Sequence, residues 1–230
     1  SEFTRSSFVA SGWDAGKIKV VPYGAPPPQP GGPERVEPAE RLEFVWAGTF
    51  GLRKGAHILI DAWRRLDPDP ARARLRVFGA PALTASLLED LPAGIELCGS
   101  VPRNELLEQF RRSDLLVFPT LCDAFGMVLT EAFAMGLPVL ATRNAGAADF
   151  LRDGENGLLC EPGDPQDLAE KLSWSIDNPC RLAEMRGPAS RAAGNWQWRD
   201  FRRGVRQALG LPEASIDSAF TAAQPSSVAG

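Results

Sequence analysis

The stretch "DAFGMVLTEAFAMGLPV", Asp123 to Val139, sets two carboxylates, Asp123 and Glu131, on either side of Gly126 in otherwise apolar surroundings. A helix that starts at Gly126 or Met127 carries Glu131 one turn inside, at the same end as Asp123. A helix N-terminus bears about +0.5 of an elementary charge. The amides of Phe125, Gly126, Met127 and Val128 therefore suit a phosphate, and a carboxylate one turn in suits sugar hydroxyls. The plainer alternative makes Asp123 a helix cap and Glu131 a surface charge.

A second candidate is "GTFGLRKGA", residues 48–56. It is not a P-loop, because Lys54 precedes Gly55 instead of following it, and it is not a GxGxxG turn. Gly48 and Gly51 supply flexible backbone, Arg53 and Lys54 supply two cations, and a helix begins just beyond. Those parts make an anion site, and they equally make a solvated basic pair before a helix. A third stretch, "TRNAGAAD" (142–149), adds another glycine, with Asp149 in a first helical turn. Taken together, the three point to a phosphate-bearing ligand with hydroxyls, and a nucleotide sugar fits that description.

These loops need elements that bring them to one rim. Strand patterns at 42–48, 73–79, 95–99, 114–119, 138–141 and 157–160 alternate with helical patterns at 56–66, 83–89, 103–112, 127–135, 147–152 and 165–176. The helix at 103–112 is expected to bury Leu106, Leu107 and Phe110. On the helix after Gly126, Val128, Leu129, Ala132 and Phe133 should face the sheet, with Met127, Glu131 and Ala134 facing the crevice. Near-continuous apolar strands mark a parallel sheet covered on both faces. The expected fold is α/β, a doubly wound, Rossmann-like six-stranded parallel sheet whose ligands bind beyond the carboxyl ends of the strands. Two more helices, near 180–194 and 198–209, close the domain. Residues 24–41, rich in proline and glycine, read as a linker or extended surface loop. The stretch before it reads as a short helix, a turn and a strand that end something larger. Residues 210–230 read as a flexible tail.

The 230 residues are 44% hydrophobic and 23% charged, ordinary for a globular domain, and the net charge of -4 disfavours a general nucleic-acid binder. Four cysteines without a CxxC pair, and a single histidine, disfavour zinc and suit reduced thiols in an intracellular protein. No apolar run reaches the roughly 20 residues that a transmembrane segment needs.

Residues Phe44–Asn178 resemble the C-terminal, donor-binding domain of the GT-B glycosyltransferases, specifically glycosyltransferase family 4 (the glycosyl transferases group 1 domain). "FVWAGTFGLRKGAHILIDAW", "LRVFG", "CGSVPRNEL", "RSDLLVFPTLCDAFGMVLTEAFAMGLPVLAT", "AGAADFLRDGENGLL" and "GDPQDLAEKL" occur in family order with family spacing. The resemblance implies that Glu131, the second carboxylate of the family's E-x7-E motif, binds the ribose hydroxyls of the nucleotide. Asp123 stands at the first carboxylate, a glutamate in relatives, and would contact the donor sugar near the reacting carbon with a side chain one methylene shorter. The amides of Phe125 to Val128 would bind sugar and diphosphate, and Lys54 would neutralise the leaving diphosphate. Thr49 stands where a phosphate-binding arginine is frequent, which leaves Arg53 to supply that charge. Backbone near Gly79, Gly99 and Val101 would line the base pocket.

The resemblance further implies retention of configuration, no metal, no cofactor, and a UDP-, GDP- or ADP-linked sugar as donor. Residues 1–23 would be the remnant of an N-terminal domain and its exit strand. That missing domain would hold a carbohydrate or lipid-linked acceptor, as in polysaccharide biosynthesis, so the isolated chain would not transfer. A cytoplasmic site follows, with peripheral attachment at the inner membrane face in some relatives. A GT-B epimerase or phosphorylase fits the landmarks less well. A non-catalytic, degenerate sugar-nucleotide-binding or scaffold module remains the alternative, on account of Thr49 and Asp123.

Overall fold

The structure is a computed structural model that describes residues 1–29 and 41–212. Six parallel strands form one sheet: β1 (Leu42–Ala47), β2 (Ala73–Phe78), β3 (Ile95–Gly99), β4 (Leu115–Phe118), β5 (Val139–Thr142) and β6 (Gly157–Cys160). Their order across the sheet is β3-β2-β1-β4-β5-β6. The direction of winding reverses between β1 and β4, where Phe44 lies beside Leu115. A doubly wound sheet opens its ligand crevice at such a reversal.

Strand alternation explains the two cores. Phe44 and Trp46 point to one face, with Leu75, Val77, Leu115 and Val117. Val45 and Ala47 point to the other, with Phe78, Leu116, Phe118 and Val139. The first face is covered by α2 (Ala56–Leu66), by α3 (Ala85–Glu89) through Leu88, and by α6 (Pro165–Asp177) through Leu168 and Leu172. The second is covered by α4 (Arg103–Arg112) and α5 (Met127–Ala134), with α8 (Arg186–Asn195) packed against α5. Trp46, Trp63, Phe44, Phe110 and Phe133 are all less than 2% exposed. At about 1.5–3 kcal/mol for each large apolar side chain buried, packing rather than helix propensity holds these elements.

The expected architecture is present, with local differences. On α4 only Phe110 is fully buried, while Leu106 and Leu107 are half-buried under the rim. Ala134 does not face the crevice: it is 0% exposed, because α8 packs over that flank and Gln29 N–H donates to its carbonyl at 2.9 Å. The helix expected at 147–152 is a 3-10 turn, Gly146–Phe150.

The helix expected at 180–194 is two helices, α7 (Pro179–Glu184) and α8, broken at Met185. Pro188 has no N–H to offer the Glu184 carbonyl, so the helix restarts with Pro188 in its first turn. The last helix, α9 (Trp198–Ala208), lies where it is expected. Among the described residues, no helix is long and apolar enough to cross a membrane.

At the start of the chain, α1 (Glu2–Ala10) and a 3-10 turn at Ala15–Lys17 precede an extended stretch that joins no sheet. Its one bridge pairs Ala25 with Gln197. Gly24 passes so close to Trp198 that a Cβ would sit 2.2 Å from the Trp198 nitrogen. The first part of the expected linker, Gly24 to Gln29, is thus packed against the domain, with Gly24 and Ala25 buried and Ala25 in the second core. Its remainder at 30–40, and most of the expected tail, 213–230, lie outside the described residues.

Candidate functional site

The first-strand loop is tied to the fourth-strand loop through backbone. Residues 52–54 form one 3-10 turn that ends at Gly55, whose φ is 81°. A Cβ at Gly55 would stand 2.0 Å from the Pro119 carbonyl oxygen, so only glycine permits this approach. Leu121 N–H and Thr120 Oγ1 both donate to the Arg53 carbonyl, at 3.0 and 3.2 Å. Pinned in this way, Lys54 directs its ammonium onto Asp123 Oδ2 in a hydrogen-bonded ion pair. The Nζ also lies 4.8 Å from the centre of the Phe118 ring. Both members of the pair are mostly buried, with side-chain exposures of 18% and 15%. Arg53 extends toward solvent. Its Nη1 donates to the Cys122 carbonyl at 2.7 Å and stands 3.9 Å from Asp123 Oδ2.

Asp123 is held from its other side by the fifth-strand loop. Its N–H donates to the Asn144 carbonyl at 2.8 Å, and Gly146 N–H donates to the Asp123 carbonyl at 3.3 Å. Asn144 Nδ2 donates to the Leu121 carbonyl at 3.0 Å. Asp123 is not the cap of α5, since that position belongs to Gly126, with φ 81° and no capping side chain. A Cβ at Gly126 would meet the Phe118 ring at 3.2 Å. Asp123 Oδ1 accepts instead from Phe125 N–H at 3.2 Å. Of the four amides expected at this helix start, that of Phe125 is therefore engaged. Those of Gly126, Met127 and Val128 donate to no described residue. Three N–H groups at a helix N-terminus, beside a lysine, form an electropositive rim.

Glu131 is not a free surface charge. Its side chain is 14% exposed, and its Oε1 accepts from both Nε and Nη2 of Arg103, at 2.9 and 2.8 Å. Arg103 opens α4, directly after the third-strand loop. It is absent from the expected site, although the rule that selected the other loops, reading the carboxyl ends of strands, also covers "CGSVPRNEL".

The three glycines at the ends of β1, β2 and β3 lie side by side. Gly48 N–H donates to the Phe78 carbonyl and Gly79 N–H to the Gly99 carbonyl, each at 2.9 Å. A Cβ at Gly79 would lie 2.1 Å from the Gly48 oxygen, whereas Gly48 and Gly99 face open space. Thr49 is exposed on the same rim, and Val101 is half-buried beside Gly99. The residues expected to line a base pocket are thus neighbours, one strand from the Lys54 loop.

The fourth- and fifth-strand loops also receive α1. The hydroxyls of Ser1 and Thr4 both donate to the Ala124 carbonyl, at 3.0 and 3.1 Å, and Glu2 N–H donates to Asp149 Oδ2 at 3.0 Å. Asp149 thus serves α1 rather than the rim centre. A cavity of about 650 Å³ between the 149–156 segment and α8 shares Asp149 with this rim and none of the residues that carry its charge. Among the described residues, no three His, Cys, Asp or Glu side chains gather as a metal site.

Residues 41–178 match the family model described as Glycosyl transferases group 1. An uncharacterized glycosyltransferase of Methanocaldococcus jannaschii is 30% identical over 167 residues, which cover 71% of this chain and 46% of that protein. A D-inositol 3-phosphate glycosyltransferase of Catenulispora acidiphila is 31% identical over 175 residues, covering 70% and 42%. The chain therefore spans less than half the length of these two relatives. The fold is also that of Anabaena Alr3699/HepE, crystallised in complex with UDP: the TM-score is 0.75 at 22% identity, over 91% of this chain and 62% of the other. With a family match over most of the folded domain, and relatives named as glycosyltransferases, this chain belongs to the glycosyl transferases group 1 family.

Proposed function

We propose that this chain is the donor-binding half of a retaining, metal-independent glycosyltransferase, and that its donor is a nucleoside-diphosphate sugar. The observation that carries the reading is the rim itself. Lys54 and the unengaged amides of Gly126, Met127 and Val128 stand at one helix start, and Glu131 lies one turn further along that helix. A diphosphate needs the first group and a pentose diol needs the second.

Breaking the anomeric bond places negative charge on the departing diphosphate and positive, oxocarbenium-like charge on the sugar. Lys54 and the α5 amides stabilise the first, in a partly desolvated position where fixed charges act strongly. Asp123, anchored by Lys54 and by the Phe125 N–H, stabilises or orients the second. Cationic side chains take the part that a divalent ion plays elsewhere. Arg53, next to Lys54, supplies the second cation that an arginine at position 49 supplies in relatives. The loops at Gly79, Gly99 and Val101 receive the base.

UDP is the first nucleotide to test, because the similar Anabaena protein binds UDP and UDP-glucose. The acceptor, a carbohydrate or lipid-linked glycan, is held by an N-terminal half, so this chain binds donor without transferring. The whole enzyme acts in the cytoplasm, at the inner face of a membrane where its acceptor is lipid-linked.

Calorimetric titration with UDP, GDP and ADP tests the reading. One nucleotide binds, and Glu131→Ala weakens it about 10- to 100-fold, the loss of a hydrogen bond to a charged group being about 1.5–3 kcal/mol. Absence of a signal from all three at millimolar concentration refutes donor binding by this chain alone and leaves a degenerate module or a domain that needs its partner half.

A further inference from the structure

We propose that Arg103 is a positioning residue for nucleotide recognition: it fixes the Glu131 carboxylate in the orientation that grips the pentose, and it couples that grip to the base loop. The inference rests on the reading that Glu131 takes the ribose hydroxyls. Glu131 is largely buried on a helix whose other residues, Thr130 apart, are apolar, and a carboxylate there needs a partner. Arg103 provides it through one edge of its guanidinium, with Nε and Nη2 converging on Oε1. Among the described residues, Oε2 accepts no hydrogen bond. The carboxylate is thereby locked at one oxygen and available at the other, which is the state that a diol donor requires.

The lock comes from a separate element. Arg103 is the first residue of α4, immediately after the Gly99–Pro102 turn beside the half-buried Val101. A base that seats in that turn sets the first turn of α4, and with it the guanidinium that holds Glu131. The exposed end of the pair is 63% accessible, so as a simple surface ion pair it would contribute little stability. Its consequence is geometric, and it requires the planar two-nitrogen edge of arginine, which lysine lacks.

The test uses the full chain, with whichever of UDP, GDP or ADP binds most tightly and the 2′,3′-dideoxy form of the same nucleotide. Wild type is expected to prefer the ribose form by ~10-fold or more. In Arg103→Met the affinity for the ribose form falls ~10-fold while that for the dideoxy form changes less than ~2-fold, so discrimination collapses. Arg103→Lys restores only part of it. Arg112→Met, which removes an exposed pair with Glu108 on the same helix, leaves both affinities unchanged. Equal weakening of both nucleotides by Arg103→Met, or no change in either, overturns the positioning role while the donor-site reading stands. A wild type that does not discriminate between the two forms overturns both. If Arg103→Met fails to fold, as judged by circular dichroism, the lysine variant carries the comparison, and full discrimination in that variant overturns the proposal.

Discussion

Gly55→Ala is the substitution that most directly separates this account of the rim from a loose basic loop. Gly55 has φ 81°, a left-handed conformation that costs a side-chain-bearing residue about 1–2 kcal/mol. Its added methyl would also stand 2.0 Å from the Pro119 carbonyl oxygen and 2.9 Å from the carbonyl carbon. Both are backbone atoms at the end of a buried strand, so no rotamer change relieves the contact. Forcing a methyl group into a packed position costs about 1–3 kcal/mol. The sum, about 2–5 kcal/mol, corresponds to a fall in melting temperature of roughly 4–20 °C for a domain of this size. Gly154→Ala is the matched control: its φ is 76°, and no atom lies within 4 Å of the added methyl. That variant bears the conformational strain alone, offset in part by about 0.4–1 kcal/mol of lost unfolded-state freedom. Thermal melts followed by circular dichroism give the comparison. A nucleotide titration gives the second readout, because a displaced Pro119 breaks the two bonds that hold the Arg53 carbonyl and moves Lys54 off Asp123. Melting temperatures for the two variants within roughly 2 °C of each other would refute the reasoning.

Asp123→Asn keeps the acceptor for Phe125 N–H but frees Lys54 from its carboxylate. UDP should bind ~3- to 10-fold more tightly by calorimetry, as expected from removing about 1 kcal/mol of repulsion at a screened site, while transfer by the full-length enzyme is lost. Asp164 caps α6 by accepting from the N–H groups of Gln166 and Asp167, so Asp164→Ala should cost about 1 kcal/mol in urea denaturation with an unchanged slope. Burial, with Asp167 adding to it, pushes the Cys160 thiol up from 9.0 to about 12. The folded state holds this proton more tightly than the unfolded state. The contribution is therefore complete below pH 9 and declines by up to about 1.4 kcal/mol per unit between pH 9 and 12, a slope that Cys160→Ala removes.

The sheet was legible because its strands are short apolar runs punctuated by glycine, proline and charge. Leu115 to Phe118 reads as a buried strand whatever surrounds it. The loops were legible through one topological rule, that ligands collect at the carboxyl ends of parallel strands. What sequence patterns do not carry is partnership at a distance. Arg103 and Glu131 lie 28 positions apart, and nothing in either local pattern marks them as a pair. The inward turn of Ala134 depends on where α8 lands. The engagement of the Phe125 amide depends on an Asp123 conformation set by Asn144 and Lys54 together. The break at Met185, by contrast, was available from Pro188 and reflects a rule that the helical periodicity of 180–194 outweighed.

The charges on the rim follow one pattern. Each carboxylate from the β4 side, Asp123 and Glu131, pairs with a cation from the β1–β3 side, Lys54 or Arg103. The reversal of winding between β1 and β4 separates those two sides, so both ion pairs span the same crevice. Each carboxylate is mostly buried and would cost several kcal/mol if stranded. The pairs therefore orient the carboxylates on the rim, while the β1–β4 ladder fixes the register of the sheet. On the proposed reading, a guest that carries a diphosphate and a diol adds oxyanions beside Lys54 and hydroxyl donors at the second oxygen of Glu131, with Arg103 kept on the first. A guest with only one of the two leaves one of these sites unfilled. On the proposed reading, selectivity for a molecule bearing both groups follows from an anion site and a hydroxyl site set by two ion pairs across one topological switch.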